Sequence, residues 1–216
     1  MKLLGMLKKV FNSKAADYFV QLLIVMIGVF LGMLVTEWRA DSKTEKDRKT
    51  ILKSIRVEIS SNKQLIEASF DKLGSFTKSL DSLNRVLTKE RLAENFYDRP
   101  FQERLPNWKG VGGEVYSSSM FETAKYSNVL PGMNVDLLEQ LSSTYSMQHL
   151  TNELKSELLN KFLAINSTTP YSDVLRLMNR IKQELGGVQY LLDQEYDKCL
   201  QLIDEHKGIA KDLAGS

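Results

Sequence analysis

Few residues of this 216-residue chain have types and spacing that could do chemistry. It holds two histidines, His149 and His206, and one cysteine, Cys199. Two histidines are too few for a histidine-rich metal site, and one cysteine excludes an intramolecular disulfide framework. No H-E-x-x-H, C-x-x-C, Ser-His-Asp set or paired-carboxylate motif occurs. Lys109-Gly110-Val111-Gly112-Gly113 looks like a phosphate-cradling loop in composition only. It lacks G-x-G-x-x-G spacing, a preceding strand and a Walker lysine-serine pair. The expectation is therefore no enzyme, no catalytic residue, no cofactor and no metal.

Four single residues remain. Glu195 and His206 are the polar members of an otherwise apolar helical seam, but eleven positions put them about 16 Å apart along a helix. A seam histidine titrating near neutral pH would act as a switch, whereas the plainer reading is a register-setting or partly exposed position. Cys199, on the same seam, reads as a small buried hydrophobe. Glu37 is an ionisable group beside an apolar run, where pairing with Arg39 or water is the plainer reading.

The element that organises the chain is residues 18–38, YFVQLLIVMIGVFLGMLVTEW. From Tyr18 to Val35 no residue is charged, which gives about 27 Å of helix at about 1.5 Å per residue, close to the thickness of a bilayer core. The run is too long for a signal-peptide h-region and lacks a small-x-small cleavage site, so it reads as an uncleaved signal anchor. Tyr18, Trp38 and Arg39 are the expected membrane-interface anchors. Gly28 and Gly32 form G-x-x-x-G, which puts both glycines on one helix face and admits a close second backbone; ordinary transmembrane glycine usage is the competing reading.

Residues 1–17 form a basic tail holding Lys2, Lys8, Lys9 and Lys14, with Leu3, Leu4, Leu7, Val10 and Phe11 on one face. It is either a short surface-lying helix or a frayed tail with topogenic charge. The Lys and Arg count after the span favours a cytoplasmic C-terminal side, but interleaved acids offset it and long domains translocate regardless of charge. The expected topology is single-pass in a bacterial inner membrane, N-terminus cytoplasmic, with the bulk periplasmic. The net charge of +2 carries no signature of nucleic-acid binding.

Beyond the span, residues 39–50 carry Ala40 as their one apolar residue and pair by charge, as a solvated helical stalk does; a polybasic lipid contact is the alternative, which the interleaved acids oppose. From Ile51 a stripe through Ile55, Ile59, Asn62, Ile66, Phe70, Leu73, Phe76, Leu80, Leu83 and Leu87 keeps a helical period, predicting a helix over about 51–93. The loop 95–114 follows, with Phe96, Tyr97, Phe101 and Trp108 either plugging the bundle or forming an exposed partner surface. Helices are expected over about 114–130, 135–165 and 170–213. Pro131-Gly132 stops the first of these, and Leu138, Leu141, Tyr145, Leu150, Leu154, Leu158 and Phe162 are the expected core of the second. Thr169 then Pro170 is an N-cap and first-turn proline. The last helix keeps a heptad through Val174, Met178, Ile181, Leu185, Val188, Leu192, Glu195, Cys199 and Leu202, continuing to His206, Ile209 and Leu213. Gly186-Gly187 interrupts it, allowing a kink or close packing.

The run T-E-W-R-A-D after the span, then A-K-Y-S-N-V-L-P-G and V-D-L-L-E-Q-L-S-S-T-Y-S, resembles an uncharacterised family of bacterial single-pass envelope proteins. The resemblance implies a signal anchor and a helical domain, with Gly132 and Tyr145 at matching positions and no assigned activity. Pro131 and the regular C-terminal heptads depart from it.

The sequence thus predicts an all-α chain: a single N-terminal transmembrane helix followed by an extended antiparallel helical bundle or coiled coil, residues 51–216. The expected function is a membrane-anchored scaffold or accessory subunit, a homo-oligomer or part of a membrane complex, touching the lipid bilayer and no nucleic acid. The alternative is a periplasmic helical-bundle sensor that binds a small ligand and signals through a partner, since a short tail leaves no output of its own.

Overall fold

A computed structural model of the chain describes residues 14–110, 115–127 and 129–205. The tail positions 2–11, Gly112, Gly113 and the seam positions His206, Ile209 and Leu213 lie outside the described residues. Among the described residues the protein is all-helical, with one isolated bridge between Asn95 and Pro170. The chain divides into two units, Met1–Arg48 and Lys49–Ser216.

The first helix, α1, runs over Lys14–Val86. In the first unit every residue from 18 to 38 is exposed, the apolar side chains included. The stretch is long and apolar enough to cross a membrane by length and composition. Thr36 Oγ1 donates to the Gly32 carbonyl at 2.9 Å, meeting its own polar need inside the helix. Further along, Arg48 pairs with Glu45.

In the second unit, α1 supplies one wall of a bundle, burying Leu52, Ile55, Ile59, Ile66, Phe76 and Leu80. It ends at Val86, short of the expected residue 93. Thr88 takes an extended backbone and its hydroxyl accepts from Arg91 N, capping a new helix α2, Lys89–Ala93. The expected loop 95–114 contains a 3-10 turn, Phe96–Asp98, and a short helix α3, Phe101–Arg104. Helix α4, Ser119–Tyr126, is shorter than the expected 114–130. Helix α5, Val135–Leu163, starts where expected, its first amides at Asp136 and Leu137 held by the Asn134 side chain. Gly132, at φ 94°, makes the turn before it.

Helix α6, Tyr171–Arg180, opens one residue after Pro170 and runs through a π-turn, Ile181–Leu185, into α7, Gly186–Glu205. A Cβ on Gly186 would lie 3.2 Å from Leu73 Cδ2, so the glycine lets α7 approach α1. Up to Leu185 the buried positions follow the expected heptad. Beyond it Leu192 and Cys199 stay buried as expected, but the alternate positions pass to Gln189, Tyr196 and Ile203, while Val188, Glu195 and Leu202 are half-buried beside them. A π-turn takes more residues per turn than an α-helix, so the chain beyond it is turned off the straight heptad.

The ion pairs give the directions. Arg56 meets Asp204 at 2.6 Å, Lys63 meets Asp193 and Asp197, and Asp81 meets Lys182, so α1 and α6–α7 are antiparallel. Glu58 instead meets Tyr145 and Asn62 meets Gln148, so α1 and α5 run parallel. The expected antiparallel bundle therefore holds for the last helix and not for this pair. The connection after α1 returns along the bundle before α5 begins, placing Phe96 in one core cluster and Tyr116, Phe121 and Met133 in the other.

Candidate functional site

The two core clusters differ in kind. The one around Phe76, Phe96, Leu105 and Tyr171 is aromatic. Phe76 and Trp108 meet edge-on at 4.7 Å, Phe96 and Phe101 at 5.7 Å, and Trp108 lies 5.5 Å from Phe162. Phe96 is fully buried and Phe101 and Trp108 are half-buried, so these three plug the bundle and are not an exposed partner surface; of the four expected residues only Tyr97 is mostly exposed. The plug also holds a buried guanidinium: Arg104 stacks 4.5 Å from the Tyr171 ring centre and bonds Glu94 at 2.7 Å.

The other cluster is threaded by hydrogen bonds, and at its centre is a short non-helical segment, residues 115–118, which we call the strap. Its side chains alternate: Val115 is exposed, Tyr116 is buried, Ser117 is exposed. A segment crossing a helical core must find partners for its backbone, because no strand or helix supplies them. Here side chains do so. Asn152, on α5, accepts from Tyr116 N at 3.2 Å and donates to Tyr116 O at 3.1 Å. Asn62, on α1, accepts from Ser117 N at 3.0 Å and donates to Ser117 O at 2.8 Å. Gln148 Nε2 donates to both carbonyls, at 3.2 and 2.9 Å. Its own oxygen accepts from Asn62 and from the Tyr196 hydroxyl, which fixes which way the amide points.

The strap's side chains are held as firmly. Gln189 Nε2 donates to the Tyr116 hydroxyl at 3.1 Å, and Lys155 Nζ sits 4.6 Å from the Tyr116 ring centre. The Glu58 carboxylate accepts from the Ser117 hydroxyl, the Met120 amide and the Tyr145 hydroxyl at 2.8, 3.0 and 2.7 Å. Burial, then the bond to Glu58, pushes the Tyr145 phenol far above its ordinary range, and burial does the same to Tyr196. Two grooves flank the strap. One of about 330 Å³ runs between α4 and α5 past Ser118, Ser142, Ser146 and His149, and one of about 540 Å³ is lined by α1 residues with Ser117 and Met120.

The remaining expected residues are not brought together. Gly28 and Gly32 have open space where a Cβ would stand, and Tyr18, Trp38 and Arg39 are exposed. Cys199 is fully buried, and burial pushes its thiol up to about 12, where it is inert at neutral pH. His149 is exposed and faces Glu153 at 3.4 Å. Glu195 accepts from Lys198, Gln140 and Ser143; the bond from Lys198 holds its carboxyl below the usual range, followed by the one from Gln140. Among the described residues no group of three His, Cys, Asp or Glu is placed to hold a metal.

Apolar periodicity passed over Glu58, Tyr116, Gln148, Asn152 and Gln189. A signal for one row was present: Thr144, Gln148, Thr151 and Lys155 continue the four-and-three spacing of Leu137 and Leu141 with polar residues, and all four are buried. No family model, curated protein or solved structure matches the chain.

Proposed function

We propose that the protein is a membrane-anchored scaffold or accessory subunit that works through protein–protein contacts. The observation that carries this is the charge-free stretch of α1, whose side chains are all exposed, in a chain whose second unit has its own buried core. Exposed apolar surface of that extent needs lipid or a partner to cover it. In this reading residues 18–38 cross a bacterial inner membrane once, with the N-terminus cytoplasmic and the bundle periplasmic. Gly28 and Gly32 seat a second transmembrane helix, from another copy or another subunit. The lack of a motif for catalysis accords with a role in assembly.

Native-membrane purification with mass measurement tests it. A stable oligomer or a reproducible partner is the expected result, and a lone monomer with nothing co-purifying overturns it. A reporter fused after residue 216 reads the orientation; activity only in the cytoplasm reverses the topology. The flanking grooves favour a second reading, a helical sensor of small polar ligands, and a molecule retained between α4 and α5 would select it.

A further inference from the structure

The way the strap is held is the way a receptor holds a peptide. Two asparagines, one on each of two parallel helices, each grip one residue of extended backbone by both its N–H and its C=O. Such pairs read the peptide bond and ignore the side chain, as a neighbouring strand would. Sequence selectivity comes from elsewhere: the slot that takes the Tyr116 ring between Lys155 and Gln189, and the Glu58 carboxylate that takes a hydroxyl on the next residue. A connection needing only to cross the bundle would run over the surface and hydrogen-bond to water. This one is drawn in, and the clamp residues are themselves oriented by Tyr196 and by one another. Two open grooves reach the strap, one at Ser118 beside α5 and one at Ser117 beside α1.

We infer that the cleft between α1 and α5 is a binding site for an extended peptide carrying an aromatic residue followed by a small hydroxyl residue, and that the protein's own Tyr116-Ser117 fills it in cis. A partner's peptide of the same chemistry binds by displacing the strap, whether it comes from a second copy of this chain or from another protein. The inference names the partner chemistry of the scaffold reading above and rests on it only in that respect; the clamp geometry is independent of the membrane.

The test uses the full chain in detergent micelles and a fluorescein-labelled peptide Val-Tyr-Ser-Ser-Ser-Met. Tyr116→Ala empties the aromatic slot, so this variant is expected to bind the peptide about ten-fold more tightly than the unaltered chain, and adding Asn152→Ala should weaken it by about ten-fold again. A peptide N-methylated at its tyrosine and first serine, which lacks the two N–H donors, should not compete. Equal competition by the methylated peptide, or no saturable binding to a Tyr116→Ala protein of unchanged helicity, overturns the inference.

Should Tyr116→Ala fail to fold, the unaltered protein still decides. Excess peptide should speed hydrogen exchange at the Tyr116 and Ser117 amides while the methylated peptide does not; unchanged exchange overturns the inference. Mass measurement separates the sources. Concentration-dependent doubling that Asn152→Ala abolishes identifies a second copy, and peptide binding by a protein that stays monomeric identifies another chain; both support the site. A partner that still co-purifies when no peptide binds overturns this inference and leaves the scaffold standing.

Discussion

The aromatic end of the bundle and the strap end both bury apolar side chains, and the strap end adds a network of hydrogen-bonded amides. At the first, Phe96, Trp108 and Phe162 fill space against Phe76 and Tyr171, and the gain is area removed from water plus ring contacts that tolerate small adjustments. At the second, Asn62, Gln148, Asn152 and Gln189 carry little apolar area, and their value lies in direction: each amide has partners that fix its orientation. The difference teaches that both ends draw stability from apolar packing, while the strap end also specifies what lies between the helices. A polar network is also the costlier of the two to leave half-made, because each orphaned group keeps its desolvation penalty.

The largest effect separating the ends should come from the aromatic one. Phe96→Ala removes a fully buried ring and is expected to cost about 3–5 kcal/mol in denaturant unfolding, with the strap amides still protected from exchange below the transition. If protection of the strap is lost at the same time, the two ends are one cooperative unit and the contrast fails. Next, Asn62→Ala leaves Ser117 N–H without its acceptor and should cost about 1–3 kcal/mol, with the loss of exchange protection concentrated in the strap. Equal loss across the aromatic end would again erase the distinction.

Alkaline pH acts on both ends, since burial raises Tyr171 at the aromatic end, and the strap end adds three more raised groups. Cys199 ionises at an ordinary 9.0 when unfolded and at about 12 when folded, and Tyr145 and Tyr196 are raised as well. Groups with raised folded values lend stability in full below their unfolded values and lose it as pH climbs toward the folded ones. Thermal stability should therefore decline above about pH 9, and Cys199 should resist alkylation at pH 8 until the bundle unfolds. The smallest effect compares the two glycines after the π-turn. Gly187→Ala meets open space and should stabilise by about 0.5–1 kcal/mol, whereas Gly186→Ala must shift Leu73 and should gain less, both read from the thermal midpoint.

The apolar face of α1 was legible in sequence at both ends. Of its stripe, Ile55, Ile59, Asn62, Ile66, Phe76 and Leu80 are buried and Ile51, Phe70, Leu73, Leu83 and Leu87 are half-buried, because apolar spacing reports burial along a helix. Leu150 fails on the same logic: it fits the period on α5 but is about half exposed, while polar Gln148 and Thr151 beside it are buried. Periodicity assumes that the core is wholly apolar, and around the strap amides and hydroxyls are buried among the apolar side chains. The heptad after Leu185 slipped for a related reason. Counting apolar residues selected Val188 over Gln189 and could not see a π-turn, which leaves no mark in hydrophobic spacing. The parallel run of α1 and α5 was also hidden, since it depends on the path of a connection whose backbone bonds go to distant side chains.

The pairing of the first and last long helices has a consequence for how the protein is made. Arg56 and Asp204 are neighbours although 148 positions separate them in the chain. A ribosome therefore finishes the apolar stripe of α1 long before the residues that close over it exist. For most of synthesis Ile55, Ile59 and Ile66 face solvent or whatever chaperone arrives first, and closure of the bundle waits for Ile203 to emerge. Truncation a little before that point should convert a folded protein into a client of quality control.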